Sequence, residues 1–323
     1  MIKNCLLCYM NISVVVAIKD EALNVLPLIQ GIHSALNEMN YEIILVDDGS
    51  TDQTNSIIRQ LNDEKVKLVV FRKNYGQTHA MSAGIEEATG DYIVTLDGDL
   101  QNDPSDIPMM VQVLQGGDWD LVAGARKNRK DGMLLRKIPS KFANWMIRNL
   151  TGVTVSDYGC TLKVFKKDIA KDLNMYGELH RFIPILAHLQ GAKITEVEVK
   201  HHPRIAGTSK YGISRTFKVI SDLMLILFFQ KYLQKPMHFF GTIGFISLLV
   251  GMGINIYLLI EKFMGHDIWG RPLLLLGLLL VLGGLQIITF GFMMEVQMRT
   301  YYESQSKRPY IIKEVFLGEK KIR

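Results

Sequence analysis

Cysteine is scarce in these 323 residues, at three, and Cys5, Cys8 and Cys160 make no disulfide framework. Cys5 and Cys8 form a CxxC, but no thioredoxin-like unit and no second metal-binding pair follows, so neither redox chemistry nor a zinc site is expected. An intracellular setting is expected for the soluble part. Residues 1–10 lack a small-residue cleavage site and run directly into an apolar β-branched stretch, which reads as a strand lead-in and not as a signal peptide. Stacking aromatics interleaved with basic residues are also missing. The net charge of +5 comes with Lys and Arg clusters near apolar segments, which points to an anionic membrane surface or phosphate ligands and not to nucleic acid.

What is abundant is apolar residues, 48% of the chain, and they are unevenly spread. The excess lies beyond residue 216, whereas the first two-thirds read as an α/β protein with a polar surface. Residues 12–18 are a near-continuous β-branched run, as a parallel strand covered on both faces requires. Helical spacing follows over 24–39, then a buried strand over 42–46 closed by Asp47-Asp48-Gly49-Ser50-Thr51-Asp52. Ser50 or Thr51 is expected to cap a helix over 52–61. Further strands are predicted at 66–71, 92–96 and 121–125, with a helix at 78–88. This alternation predicts a doubly wound, mostly parallel sheet flanked by helices, with ligands at the carboxyl ends of the strands.

The organising stretch is residues 92–101, YIVTLDGDLQ. A buried strand cannot carry ionised groups into the core, so Asp97 and Asp99 should sit where it emerges. Alternate residues of an extended chain point the same way, so both carboxylates can face one site, and Gly98 leaves room for a ligand near the backbone. Hard oxygen ligands of this kind suit Mg²⁺ or Mn²⁺ shared with a substrate phosphate. Acidic residues follow three of the first four strands: Glu21, the Asp47–Asp48 pair and the Asp97–Asp99 pair. They should converge on that site.

Residues 216–234 read as a helix lying at a membrane interface. Residues 239–260 and 273–296 each offer more than 20 residues with almost no charge. As helices they reach about 33 Å, enough for a hydrocarbon core of roughly 30 Å. The connecting loop is poor in Lys and Arg and the tail is rich in them, so the loop is expected outside and the catalytic domain and both termini in the cytoplasm. The expected organisation is a catalytic domain over 1–211, an interfacial helix over 212–236, two spans within 237–298 and a basic tail over 299–323.

The stretches VVVAIKDEALNV, ILVDDGSTDQT, NYGQTHAMSAGIEEATGDYIVTLDGDLQNDP, AGARKNR, RKIPSKFAN, SDYGCTLKVF and the R-x-x-G-x-S-K-Y element over 204–211 resemble a known family. It is the polyprenyl-phosphate glycosyltransferases with a GT-A (Rossmann-like) catalytic domain, close to dolichol-phosphate mannose synthases and bacterial undecaprenyl-phosphate glucosyltransferases. The first motif departs from the family's usual proline and asparagine at Ala17 and Asp20, which leaves Glu21 as its main nucleotide contact.

The resemblance implies a metal and diphosphate site at Asp97, Gly98, Asp99 and Gln101, and a nucleotide-base acceptor at Asp47 or Asp48. It implies an acceptor-phosphate site at Arg126, Arg136 and Ser140, and a later loop with Arg204, Ser209 and Lys210 that closes over the donor. Asp157 corresponds to the candidate base or acceptor-orienting carboxylate. His79 is placed near the donor, while His201 and His202 have weaker claims. The expected reaction is inverting transfer of a hexose, glucose from UDP-glucose first, to undecaprenyl phosphate. GDP-mannose or UDP-4-deoxy-4-formamido-arabinose are the alternatives as donor. A homo-oligomer is left open. A processive polysaccharide synthase is disfavoured because no QxxRW motif is present, and a silent nucleotide-sugar-binding subunit because both DxD carboxylates are.

Overall fold

Strand β1 (Asn11–Ile18) is central because Ile12, Val14, Val15, Val16 and Ile18 are all buried, on both faces of the strand. Burying a Val or Ile side chain contributes about 1.5–3 kcal/mol, so such a run is stable only inside a covered sheet. The computed structural model describes residues 11–126, 153, 155–173, 175, 179–203, 228, 232, 235–304, 316–317 and 320–321. The chain forms two compact units, Met1–Leu223 and Met224–Arg323.

In the first unit β1 is followed by α1 (Val25–Ala35), β2 (Asn40–Asp47), α2 (Thr54–Gln60), β3 (Val66–Val70), α3 (Gln77–Glu87), β4 (Tyr92–Asp97), α4 (Ile107–Gly116) and β5 (Leu121–Arg126). Then come β6 (Lys163–Lys166), α5 (Lys167–Lys171), α6 (Ile183–Leu189) and β7 (Ile194–Val199). The seven strands lie in the order β3-β2-β1-β4-β6-β5-β7. All neighbours are parallel except β6, which runs antiparallel to both β4 and β5. The sheet is thus doubly wound and mostly parallel, as the sequence predicts, with one reversed strand.

Register sets the site. Ile18 pairs with Asp47 and Ala17 with Asp97, so β2, β1 and β4 deliver their last residues at one level. Helix α3 lies close over β1 and β2, because a Cβ on Gly84 would come within 2.3 Å of Val15 Cγ1 and 3.1 Å of Val46 Cγ2.

The helix after the second acidic loop starts differently from expectation. Neither Ser50 nor Thr51 caps it; Gln53 stands at the cap without a side-chain bond, and Asp52 Oδ1 accepts from Thr54 N at 3.0 Å instead. Ser50 is diverted to the neighbouring loop, where its Oγ accepts from Asp20 N at 2.8 Å and donates to Asp47 Oδ1.

The second unit contains helices α7 (Pro236–Phe263) and α8 (Pro272–Ser304), joined by a short loop, and a small hairpin of β8 (Phe316–Leu317) and β9 (Lys320–Lys321). Both helices are long and apolar enough to cross a membrane. Their apolar side chains are mostly exposed, Phe245, Ile256, Leu282 and Phe292 among them. A soluble core helix would bury them, so the environment that receives them is hydrocarbon. The helices meet through glycines seven residues apart. A Cβ on Gly244 would lie 2.7 Å from Gly284 O, and one on Gly251 would lie 2.8 Å from Gly277 O. Without side chains there, the two backbones can approach closely, which is how helices associate where no hydrophobic effect drives them together.

Candidate active site

The loops after β1 and β2 are laced together. Asp20 adopts a positive φ of 51°, tolerated by Asp, and its Oδ1 accepts from Thr51 N at 2.8 Å. Glu21 N donates to Thr54 Oγ1 at 3.0 Å and Ala22 N to Asp52 Oδ2 at 3.2 Å, while Glu21 Oε2 accepts from Asn24 Nδ2 at 2.6 Å. Asp47 is buried and accepts from Ser50 N at 3.0 Å and Asn55 Nδ2 at 2.7 Å. Asp48 accepts from Tyr75 N at 2.6 Å and Gly76 N at 3.0 Å, which anchors the loop leading into α3. Gly49 turns with a positive φ of 70° against the backbone of Lys73 and Asn74, where a Cβ would come within 2.7 Å. Both members of the Asp47–Asp48 pair therefore fix the loops at the carboxyl ends of β1 and β2, Asp47 through Ser50 and Asn55 and Asp48 through the backbone of Tyr75 and Gly76.

Asp97 ends β4 and receives a hydrogen bond from Gln77 Nε2 at 2.7 Å. Burial, and then the nearby charge of Asp99, push its carboxyl up to about 6, and the Thr161 hydroxyl, Lys163 and Arg126 pull the other way. Gly98 serves packing, because a Cβ there would lie 2.9 Å from Ile18 Cγ2 and 3.6 Å from Glu21 Cγ. A side chain at that position would therefore press on β1. Leu100 turns with a positive φ of 59°, and Gln101 N donates to Asp99 Oδ1 at 3.2 Å. Gln101 O accepts from His202 N at 2.8 Å, and Asn102 bridges to His201. The segment leading to residue 204 is thereby tied to the acidic loop.

The reversed strand supplies the far wall. Thr95 pairs with Lys163 in register, which brings Thr161 opposite Asp97; Thr161 Oγ1 also accepts from Asn102 Nδ2 at 2.9 Å. Lys163 is fully buried, and its Nζ donates to Cys160 O. Burial lowers its pKa, opposed by Cys160, Asp157 and Asp97. Arg126, the last residue of β5, holds Asp157 through two hydrogen bonds, Nε to Oδ2 at 2.6 Å and Nη2 to Oδ1 at 3.0 Å, with both side chains only 13% and 12% exposed. Asp157 also accepts from Gly159 N at 3.1 Å.

Among the described residues no three His, Cys, Asp or Glu side chains gather as a ready metal cage. The residues fit a divalent cation in another way. Two neighbouring carboxylates at the exit of a parallel strand, Asp97 with its ionisation opposed by burial and by the charge of Asp99, suit an Mg²⁺ or Mn²⁺ that draws its remaining ligands from a diphosphate and water. Gln101 is tied to this loop through its backbone, which bonds Asp99 and His202.

The structure brings together Glu21, Asp47, Asp48, Asp97, Gly98, Asp99, Gln101, Arg126 and Asp157 at one sheet edge. Arg136, Ser140, Arg204, Ser209 and Lys210 lie outside the described residues, as do Cys5 and Cys8. His79 is exposed, and the buried histidine is His180, whose Nδ1 meets Thr78 Oγ1 at 2.7 Å. Gln77, Thr161 and Lys163 escaped the sequence reading. The signal for Lys163 was a cation set between the apolar residues Leu162 and Val164.

The model of Glycosyl transferase family 2 matches residues 13–173, the part that carries this edge. The chain is 45% identical over 315 residues to dodecaprenyl-phosphate galacturonate synthase of Rhizobium johnstonii, which spans 95% of this chain and 93% of that relative. This chain belongs to the polyprenyl-phosphate glycosyltransferases. A second relative in the family, undecaprenyl-phosphate 4-deoxy-4-formamido-L-arabinose transferase of Aeromonas hydrophila, is 32% identical over 94% of this chain and 93% of its own length. The fold also resembles glucosyl-3-phosphoglycerate synthase from Mycobacterium tuberculosis in complex with Mn²⁺, UDP and phosphoglyceric acid. That match has a TM-score of 0.53 at 16% identity and covers 69% of this chain and 78% of the other. The two family relatives are named for galacturonate and formamido-arabinose: they support the formamido-arabinose alternative over the expected glucose, and galacturonate is a sugar the sequence reading did not offer.

Proposed function

We propose that this chain transfers galacturonic acid from its UDP-linked form to the phosphate of a polyprenyl lipid, with inversion, at the cytoplasmic face of a bacterial-type inner membrane. The observation that carries the sugar assignment is the 45% identity to a galacturonate synthase, which runs through both compact units. The formamido-arabinose reading has 32% identity behind it and stands second. The basic tail and the sparsely charged α7–α8 loop support a cytoplasmic catalytic domain.

The acceptor, a phosphate monoester with a second pKa near 6, is largely dianionic at neutral pH. One of its oxygens forms the new bond to the anomeric carbon as the bond to the diphosphate breaks, and the electron pair leaves with UDP. No proton has to be removed, so the protein's task is to place two anions next to each other. Asp97 and Asp99 would hold an Mg²⁺ or Mn²⁺, which supplies the charge that offsets the departing diphosphate. Arg126 sits in a fixed bidentate pair with Asp157, and this reading makes Asp157 the group that aims the guanidinium at the acceptor phosphate. By family resemblance Arg136 and Ser140 complete that phosphate site, and Glu21, Arg204, Ser209 and Lys210 grip the donor.

The test is transfer of labelled sugar to extractable lipid from three donors, UDP-galacturonate, UDP-4-deoxy-4-formamido-arabinose and UDP-glucose, with and without EDTA. Galacturonate transfer lost on chelation is the expected result. Label from UDP-glucose alone overturns the sugar assignment, and transfer undiminished by EDTA overturns the metal.

A further inference from the structure

The membrane hairpin carries a polar side chain where hydrocarbon offers it nothing. Helix α8 turns Gly277, Val281, Gly284 and Ile288 towards α7. On its opposite face, at helical spacing, stand Leu279, Gly283, Gln286, Phe290 and Met293. Leu279, Gln286, Phe290 and Met293 are exposed, and a Cβ added to Gly283 would meet nothing within 4 Å. Gln286 is the middle residue of the apolar span Pro272–Thr300. Thr289 Oγ1 donates to the Gln286 backbone carbonyl at 2.8 Å, but the Gln286 side-chain amide has no hydrogen-bond partner among the described residues. Lipid tails and prenyl chains have no group to give it, and a polar side chain at that depth is costly unless another protein surface satisfies it.

We propose that this face of α8 is a seam between two copies of this chain, with the Gln286 amides hydrogen-bonded to each other across it. A second copy is the occupant that matches on three counts. It is inserted with the same topology, so its Gln286 arrives at the same depth. A primary amide both donates and accepts, so two of them satisfy each other around a twofold axis. Gly283, one turn away, leaves an open notch that lets the backbones come close. The proposal rests on α8 crossing the bilayer and is independent of which sugar is transferred.

The experiment uses the full chain in native membranes. The Gln286→Cys variant is oxidised beside the Met252→Cys variant, which places a thiol on the lipid-exposed surface of α7, and wild type gives the background from Cys5, Cys8 and Cys160. A self-cross-link strong in Gln286→Cys and absent from Met252→Cys and wild type is the expected result. In mild detergent, sedimentation should show the dimer dissociation constant of Gln286→Leu raised roughly three- to tenfold, with Gln286→Asn restoring most of the association. Equal cross-linking at both positions, a cross-link to a different protein, or an unchanged constant in Gln286→Leu overturns the proposal. Transfer activity retained by Gln286→Leu would verify that the variant is inserted and folded.

Discussion

Arg126 and Asp157 grip one another through two parallel hydrogen bonds of 2.6 and 3.0 Å at the carboxyl edge of the sheet, almost out of reach of water. Removing one partner of such a pair strands a buried charge and costs about 3–5 kcal/mol. Asp157→Ala and Arg126→Ala should therefore each lower the unfolding midpoint as well as transfer, and a double-mutant cycle should return a coupling energy above 1 kcal/mol. A dedicated proton acceptor would behave otherwise: Asp157→Asn would abolish transfer while thermal stability stayed at the wild-type value. Melting curves of the variants beside their transfer rates separate the two roles.

Asp97 imposes a cost on the empty protein. Its folded pKa stands near 6 against an ordinary value of 3.8, first because of burial and second because of Asp99. The folded state therefore binds a proton more readily than the unfolded chain between those two pH values. The destabilisation is complete above about pH 6 and is relieved as pH falls towards 4. Asp97→Asn, measured in EDTA by denaturant unfolding, should be more stable than wild type at pH 7 by about 1–3 kcal/mol and equal to it near pH 4. The same variant should lose transfer. A loss of stability at pH 7 would refute this account of the carboxylate pair.

Lys163 lies beneath the acidic pair, its charge acting on both Asp97 and Asp157. Lys163→Met removes a positive charge from the neighbourhood of a cation site, so affinity for Mn²⁺, read by calorimetry without substrates, should tighten several-fold. Transfer should fall, because the Cys160 carbonyl and the turn that presents Asp157 lose their donor. Weakened Mn²⁺ binding would make Lys163 a purely structural residue.

Gly84→Ala tests how the helix over the sheet feeds the site. The added methyl would sit 2.3 Å from Val15 Cγ1, so α3 must lift, at about 1–3 kcal/mol. Gln77 at the start of α3 would move with it and loosen its 2.7 Å bond to Asp97. We expect a lower melting temperature together with weaker Mn²⁺ binding; a change in stability alone would uncouple the helix from the carboxylate.

Much of this was legible in the residues. The β-branched runs of β1, β2 and β4 could be nothing but covered strands, and acidic residues directly after them had to gather at one edge. Other features were hidden because they depend on tertiary register. The Lys163–Phe165 run looks like any buried strand, and only its pairing with β4 reveals that it is reversed and that Thr161 faces Asp97. Ser50 reads as a helix cap, yet a stronger demand from Asp20 and Asp47 draws it away. Gly98 has a packing reason that the sequence does not show, because a Cβ there would press on Ile18. In each case a long-range neighbour was decisive.

The reversal of β6 has a consequence for how such a protein can be altered. In a wholly parallel sheet the edge that meets ligand is made of strand exits, but here one strand begins at that edge and contributes its opening residues. Residues 155–163 thus reach the edge that carries Asp97 and Arg126 as a separate stretch of chain, while the hydrogen-bonded loops after β1 and β2 hold the other flank by themselves. Under the proposed function, library mutagenesis limited to that short stretch should vary how the acceptor is received and leave the opposite flank intact.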